Sequence, residues 1–288
     1  MISISIYIIT VIKMDAIDIT GIDPISTAEA SSKGNQPKWF IDGCWYKADH
    51  MGYEALAETV ISRLLQKTNI NGFVSYSPVF IKNGSKTRTG CKSRSFREKN
   101  TEIITLEKLY RAYEGVSLSK ALTQYTDAED KLRFTVDFAE KHTGLENAGR
   151  YFTAMLELDA FFLNEDRHTN NIAFVRNADT GVFSVCPFFD FGLSLLSDLN
   201  DYAPEEDIYS CINRVEAKPF DVSFDIQTKA AENLYGQQLA VYFTESDIHK
   251  AVFELSGYYP ENILIRAENI LRERLRKFAY LKAQKNPG

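Results

Sequence analysis

The stretch "LNEDRHTNNIAFV", residues 163–175, sets Glu165, Asp166, Arg167, His168 and three asparagines between two apolar runs. A second polar break follows in "PFFDFGLSLL", residues 187–196, where Asp190 stands among aromatic residues. Between them, "NIAFVRNADTGVFSVC" reads as two short strands around a turn. Antiparallel pairing brings the outer ends of such a hairpin together, so Asn171 and Asp190 are expected side by side. An Asp and an Asn five apart, or a lone Asp-Phe-Gly, arises often by chance. In this order, with a hairpin-length spacer, the combination is specific.

Phosphoryl transfer from ATP needs few parts. A carboxylate takes the acceptor hydroxyl's proton, two oxygen ligands hold Mg²⁺, and a lysine steadies the phosphates. Mg²⁺ is a hard ion that accepts a carboxylate and an amide oxygen while leaving positions for phosphate. In the protein-kinase pattern the base Asp precedes the metal-binding Asn by five residues, and a later Asp-Phe-Gly gives the other ligand. Asp166, Asn171 and Asp190-Phe191-Gly192 follow that order.

Outward from these motifs, the chain divides by pattern. "KWFIDGCWYK", residues 38–47, has aromatic-rich arms around an Asp-Gly turn, a hairpin signal. A helix is expected over 52–66, with Tyr53, Leu56, Val60, Ile61 and Leu64 on one face. Strand-like "FVSYSPVFI" and "EIITLEKLY" come next, separated by a basic loop, "KNGSKTRTGCKSRSFREK", residues 82–99. That loop could dock an acidic partner; a solvated loop is the simpler reading. From about residue 111 the pattern is helical: 129–142 stopped by Gly144, 147–163, a helix after Thr244/Ser246, and a longer one starting at Pro260. The fold class is therefore α+β and bilobal, with a β-rich N-lobe over 1–110 and a helical C-lobe over 111–288.

Composition bounds the function. The 288 residues, 44% apolar and 25% charged, suit a globular protein with a substantial core. A net charge of −6 argues against direct nucleic-acid binding, because backbone binders carry a basic excess. Cys44, Cys91, Cys186 and Cys211 form no Cys-x-x-Cys or Cys/His cluster, which argues against zinc and fits a reducing cytoplasm. The opening "MISISIYIITVIK" is shorter than the ~20 residues a membrane span needs and lacks signal-peptide features. It reads as a strand, with Met14 as an alternative start. No membrane association is expected.

"EDRHTNN…FFDFG" resembles the HipA-like protein kinases, and also the catalytic loop of phosphatidylinositol 3-/4-kinases. The likeness to the HipA-like family extends upstream. "SSKGNQPKWF" resembles its phosphate-loop segment, and "WYKAD" resembles its nucleotide-lysine strand, followed by a Glu-bearing helix. The resemblance spans most of residues 30–196 and implies a Mg²⁺-dependent kinase using ATP. It makes Asp166 the base, Asn171 and Asp190 the metal ligands, and Lys47 the contact to the α/β-phosphates. Glu58 becomes the partner of Lys47, with Glu54 one turn earlier as the rival and expected to be more exposed. Segment 102–109 becomes the hinge whose backbone reads adenine, near Glu107 and Leu109. Gly34, Gln36 and Lys38 fall in or beside the phosphate loop, where backbone must approach phosphate closely. Lys38 is equally readable as a solvated strand-end lysine. Arg167 and His168 either contact the transferring phosphate or activation segment, or brace the loop. Ser31 and Ser32 are ordinary loop serines or phosphorylation sites.

Two departures qualify the resemblance. The phosphate loop lacks a GxGxxG. HipA-like toxins also carry an extra N-terminal subdomain that contacts a DNA-binding antitoxin, whereas this chain reaches its phosphate loop by about residue 30, which argues against an antitoxin partner. The implied reaction is γ-phosphate transfer to a serine or threonine of a protein substrate. The alternatives are a lipid or small-molecule kinase, a nucleotide-binding scaffold, and a transferase that moves AMP.

Overall fold

The computed structural model describes residues 15–25 and 36–282. The expectations for the opening strand, Gly34, Ser31 and Ser32 lie outside the described residues. Strands β2 (Lys38–Ile41) and β3 (Cys44–Ala48) form the hairpin signalled by Asp42-Gly43. Both turn residues take positive φ, 48° and 76°, as a two-residue turn matched to strand twist requires.

β5 (Lys86–Arg94) pairs antiparallel with both β3 and β4 (Ser77–Asn83). β1 (Ala16–Asp18) adds parallel to β4, giving the order β1-β4-β5-β3-β2. The basic loop expected at 82–99 is therefore corrected: half of it, Lys86–Arg94, is an inner strand. Its charges misled because Lys86, Arg88 and Arg94 stay exposed while the short residues Gly90, Cys91 and Ser93 are buried. Gly90 is obligatory there. A Cβ at this position would lie 2.4 Å from the Lys47 carbonyl oxygen and 2.6 Å from Ile81 Cδ1.

A second sheet, β6 (Thr101–Thr105), β7 (Ala173–Asn177) and β8 (Phe183–Val185), lies on the helical side. "EIITLEKLY" is thus strand only in its first half. Thr105 Oγ1 accepts the Lys108 N–H and caps α2 (Leu106–Glu114), so helix begins earlier than residue 111. The helical side continues with α3 (Leu118–Leu122), α4 (Ala128–Thr143), α5 (Ala148–Phe162), α6 (Ile208–Arg214), α7 (Phe224–Tyr235), α8 (Glu245–Phe253) and α9 (Glu261–Lys277). Gly144 ends α4 in the left-handed conformation, and Thr244 with Asp247 closes a capping box on α8. Pro260 is the N-cap of α9 and not its first residue. α5 runs through the middle of the main core and is buried over nearly its whole length. No helix among the described residues is long and apolar enough to cross a membrane.

The helix α1 (Glu54–Leu65) connects the two sides. It packs on β4 and β5 and is covered on its other flank by α8, where Arg63 donates to the Ala251 carbonyl at 2.9 Å. A polar clasp at its start adds to this. Asp49 accepts the Ala55 N–H at 2.7 Å and the Tyr259 hydroxyl at 2.7 Å, tying the β3–α1 turn to the approach to α9. Burial, with Glu54 nearby, pushes the Asp49 carboxyl up to about 8.

The folded chain thus holds this proton more tightly than the unfolded chain. The contribution is fully present below about pH 4 and is lost as pH rises to about 8, at up to ~1.4 kcal/mol per unit. Asp49→Asn should therefore flatten the fall in urea midpoint between pH 5 and pH 8. An unchanged slope would show that Asp49 is already ionised in the folded protein.

Candidate active site

Lys47 lies on β3, on the opposite sheet face from its neighbour Ala48, which belongs to a small outer core with Ile19, Trp39, Val79 and Ile81. Its ammonium is 2.6 Å from Glu58 Oε1 and 2.7 Å from Asp190 Oδ1. Burial opposes the lysine's charge, but Asp190 and Glu58 hold it well above its ordinary range. For Asp190 burial is likewise outweighed, by Lys47 and then Lys38 and Arg167, and its carboxyl is held at about 2. Glu58, fully enclosed, is pushed up by burial against the pull of Lys47. Its second oxygen accepts the Phe191 N–H at 3.0 Å. One glutamate on α1 therefore grips both the lysine and the Asp-Phe-Gly backbone.

Glu54 does not compete for Lys47. Contrary to expectation it is also buried, 2% exposed, because its carboxylate accepts the N–H groups of His50, Met51 and Gly52 and closes the turn before α1. The helical register places the two glutamates one turn apart, and each has a separate task.

The loop after α5 is organised from beneath by Arg167. Its guanidinium pairs with Asp159 of α5 through Nε and Nη2, at 2.9 and 3.0 Å, with both residues buried. Its Nη1 donates to the Asn171 carbonyl at 2.9 Å and the Phe189 carbonyl at 3.0 Å. These carbonyls lie at the two outer ends of the β7–β8 hairpin, so one side chain ties them together. Arg167 is therefore a brace, one of the two roles its sequence position allowed. Asn164 adds to the brace by donating to Asp159 at 2.8 Å. The sequence did carry a signal for Asp159, a charge within the apolar run "MLELDAFF".

On this loop, Asn171 Nδ2 donates to the Asp166 carbonyl at 2.8 Å and to Asp166 Oδ2 at 3.3 Å. His168 Nε2 stands 3.7 Å from the same oxygen, and Lys218 Nζ is 3.6 Å from Oδ1. Burial raises the Asp166 carboxyl and Asp190 adds to the rise, while His168, Lys218 and Arg167 pull it down. Asp166 Oδ1, His168 Nδ1 and Gln36 Nε2 are buried without a hydrogen-bond partner among the described residues. Orphaned polar atoms also occur away from this loop, on Gln227, Arg266 and Arg274 for example, but those on Asp166, His168 and Gln36 face one another's neighbourhood and are open to an incoming polar group.

Gln36 reaches the Asp-Phe-Gly turn: a Cβ on Gly192 would lie 3.9 Å from its Oε1. Lys38 pairs across the β2–β3 hairpin with Lys47, and burial lowers its pKa, with Asp190 acting against that. This is a partly enclosed cation facing the site, not a solvated strand end. Asp190 itself takes a positive φ of 63°, a conformation uncommon outside glycine and held here by its surroundings.

Two residues expected on an extended hinge segment lie instead in a helix. Glu107 and Leu109 sit in the first turns of α2. The Glu107 carboxylate accepts from Thr169 Oγ1 at 2.9 Å and clips the loop to α2; burial opposes its charge, but bonds from Ser117, Thr169 and Arg111 hold its pKa below the usual value. Leu109 is core. The segment that links the two sheets is 95–100, where Phe96 meets Phe189, the residue before Asp190, at 6.0 Å between ring centroids.

Among the described residues no group of three or more His, Cys, Asp or Glu side chains is placed to hold a metal ion. A divalent ion at Asp190 and Asn171 would need further ligands from a bound nucleotide. The donor set suits that arrangement. The Asn171 amide nitrogen is committed to Asp166, its Oδ1 accepts no hydrogen bond among the described residues, and Asp190 is 37% exposed in its side chain.

No family model matches the chain, and no curated protein matches it in sequence. Its fold is that of a solved enzyme, the proinflammatory kinase CtkA of Helicobacter pylori. The superposition covers 91% of this chain and 94% of that one, with a TM-score of 0.62 at 16% identity. The chain therefore has a bilobal, protein-kinase-like α+β fold. HipA of Shewanella oneidensis MR-1, solved with HipB and operator DNA, aligns over 93% of this chain and 61% of its own, with a TM-score of 0.37 at 13% identity.

The two glutamates of α1 should separate experimentally. Glu54→Ala removes an acceptor shared by three N–H groups and should cost ~1–3 kcal/mol in urea unfolding. If the site takes Mg·ATP, as the resemblance of its motifs implies, Glu58→Gln should weaken that binding several-fold more than Glu54→Ala does, measured calorimetrically on folded protein. Equal effects of both variants on nucleotide binding would contradict this division.

Proposed function

We propose that the chain is an ATP- and Mg²⁺-dependent kinase of the HipA-like kind, transferring the γ-phosphate to a serine or threonine hydroxyl of a protein. One observation carries the reading: Lys47 held between Glu58 and Asp190, beside a loop that joins Asp166 to Asn171. The orphaned donor on Gln36 and the partly enclosed Lys38 support it, because both suit an anionic ligand entering above Asp190.

In this reading Lys47 turns from Asp190 toward the α/β-phosphates while Glu58 keeps it oriented. Lys38 and Gln36 add donors on the phosphate side. Asp190 and Asn171 would hold Mg²⁺, which when bound offsets charge on the phosphates. Asp166 Oδ1, buried and without a donor among the described residues, accepts the proton of the acceptor hydroxyl as that oxygen attacks the γ-phosphorus. His168 steadies the other carboxylate oxygen. The nucleotide base would lie along segment 95–100 against Phe96, in place of the contact first expected near Glu107 and Leu109. The protein acceptor rests on the resemblance of the motifs to the HipA-like family; no antitoxin or nucleic-acid partner is proposed.

Incubation with γ-labelled and α-labelled ATP separates the alternatives, since only γ-label moves in a kinase. Asp166→Asn should lower γ-label transfer by about 100-fold or more while leaving ATP binding within about twofold. Asp190→Asn should weaken Mg·ATP binding itself, because a hard cation loses its charged ligand. Full labelling by both variants would remove these residues from the mechanism.

A further inference from the structure

Asp166 is held by its own loop on one side only. Oδ2 faces Asn171 and His168, whereas Oδ1 receives no hydrogen bond among the described residues. The group that faces Oδ1 is Lys218, from the segment between α6 and α7, with Nζ at 3.6 Å. Nothing in the sequence pointed to it, since 52 residues separate it from the base and no motif surrounds it.

The segment is well fixed. Ala217 and Phe220 are buried on either side of the lysine, the Ala217 N–H donates to the Val222 carbonyl at 2.8 Å, and Lys131 Nζ donates to the Phe220 carbonyl at 3.0 Å. Asp166 is its ion-pair partner among the described residues, although Glu216 and Asp221 are closer in the chain. At 3.6 Å the ammonium stands beyond hydrogen-bond range, so it adds charge at Oδ1 without occupying it.

We propose that Lys218 is a further catalytic residue, the cation that meets the transferring phosphoryl group from the acceptor side. This rests on the kinase reading of the same site. An acceptor hydroxyl bound to Oδ1 at about 2.6–3.2 Å has the phosphorus roughly 3–3.5 Å beyond it. Lys218 Nζ then lies within side-chain reach of the non-bridging oxygens that face away from Lys47. As the acceptor oxygen bonds to the γ-phosphorus, the bond to the β–γ bridging oxygen breaks and ADP departs. The hydroxyl proton passes to Asp166. Lys218 keeps its protons throughout and donates hydrogen bonds to the phosphoryl oxygens, whose charge it stabilises most in the transition state. Lys47 and Lys218 thus address the nucleotide and the transferred group separately.

The full chain, its Lys218→Met variant and its Lys218→Arg variant should be compared in self-labelling with γ-labelled ATP, with melting curves for each. We expect Lys218→Met to lose about 10- to 100-fold in kcat, with KM for ATP within about twofold of the parent. Lys218→Arg should recover most of the rate. Should Lys218→Met melt early, Lys218→Gln repeats the comparison with a polar tip. An unchanged kcat in the neutral variant, or a loss confined to KM for ATP, overturns the role of Lys218 alone. A parent chain that binds Mg·ATP yet moves no γ-label overturns the kinase reading, and this proposal falls with it.

Discussion

A buried ammonium is the constraint on which the rest of this molecule depends. Lys47 is enclosed between Glu58 and Asp190, and a charge removed from water without partners is costly. Its two partners come from α1 and from beyond the β7–β8 hairpin, 143 residues away along the chain in the second case. The five-stranded sheet, α1 and the hairpin must therefore all be in register before this charge is satisfied. Glu58 makes the coupling tighter by also accepting the Phe191 N–H. With α8 packed on the outer flank of α1 and Tyr259 bonded to Asp49, the helix is gripped at its start, middle and end.

A second buried pair does for the loop what Lys47 does for the cleft. Arg167 and Asp159 are worth little as a net stabilising interaction, since both are desolvated, but removing either would strand the other. What the pair supplies is placement. Arg167 fixes the carbonyls of Asn171 and Phe189 and so sets the spacing between the loop and the Asp-Phe-Gly turn. Glu107 holds the same loop from α2 through Thr169. Asp166 Oδ1 and Gln36 Nε2 are left unsatisfied at the opening, whereas the Arg167, Asp159 and Glu107 side chains beneath them are hydrogen-bonded. This division suits a site preorganised for a ligand.

Much of this was readable from local chemistry. The Asp42-Gly43 hairpin, the Gly144 stop and the Thr244 cap each depend on a few neighbouring residues, and the structure has them where the pattern puts them. The likeness in fold to a solved kinase agrees with the α+β bilobal reading. What the pattern missed depended on distant packing. β5 looked like a loop because its lysines and arginines outweigh its short buried residues, and only its position between β3 and β4 makes it a strand. Glu54 looked exposed because nothing local reveals that three N–H groups of the preceding turn converge on it. Thr105 split "EIITLEKLY" into strand and helix by a cap, which put Glu107 and Leu109 in a helix and not on an extended segment. Lys218 had no local signal at all, because its meaning comes from a fold that returns to Asp166.

In the proposed kinase, the Lys47 ion pairs hold a nucleotide site in readiness. A crystal structure with Mg²⁺ and a non-hydrolysable ATP analogue tests it most directly. The account predicts Lys47 on the α/β-phosphates with its Glu58 contact retained, and Asp190 and Asn171 both coordinating the ion. Nucleotide bound outside this cleft, or Lys47 still on Asp190 with Mg²⁺ held by other residues, would contradict it.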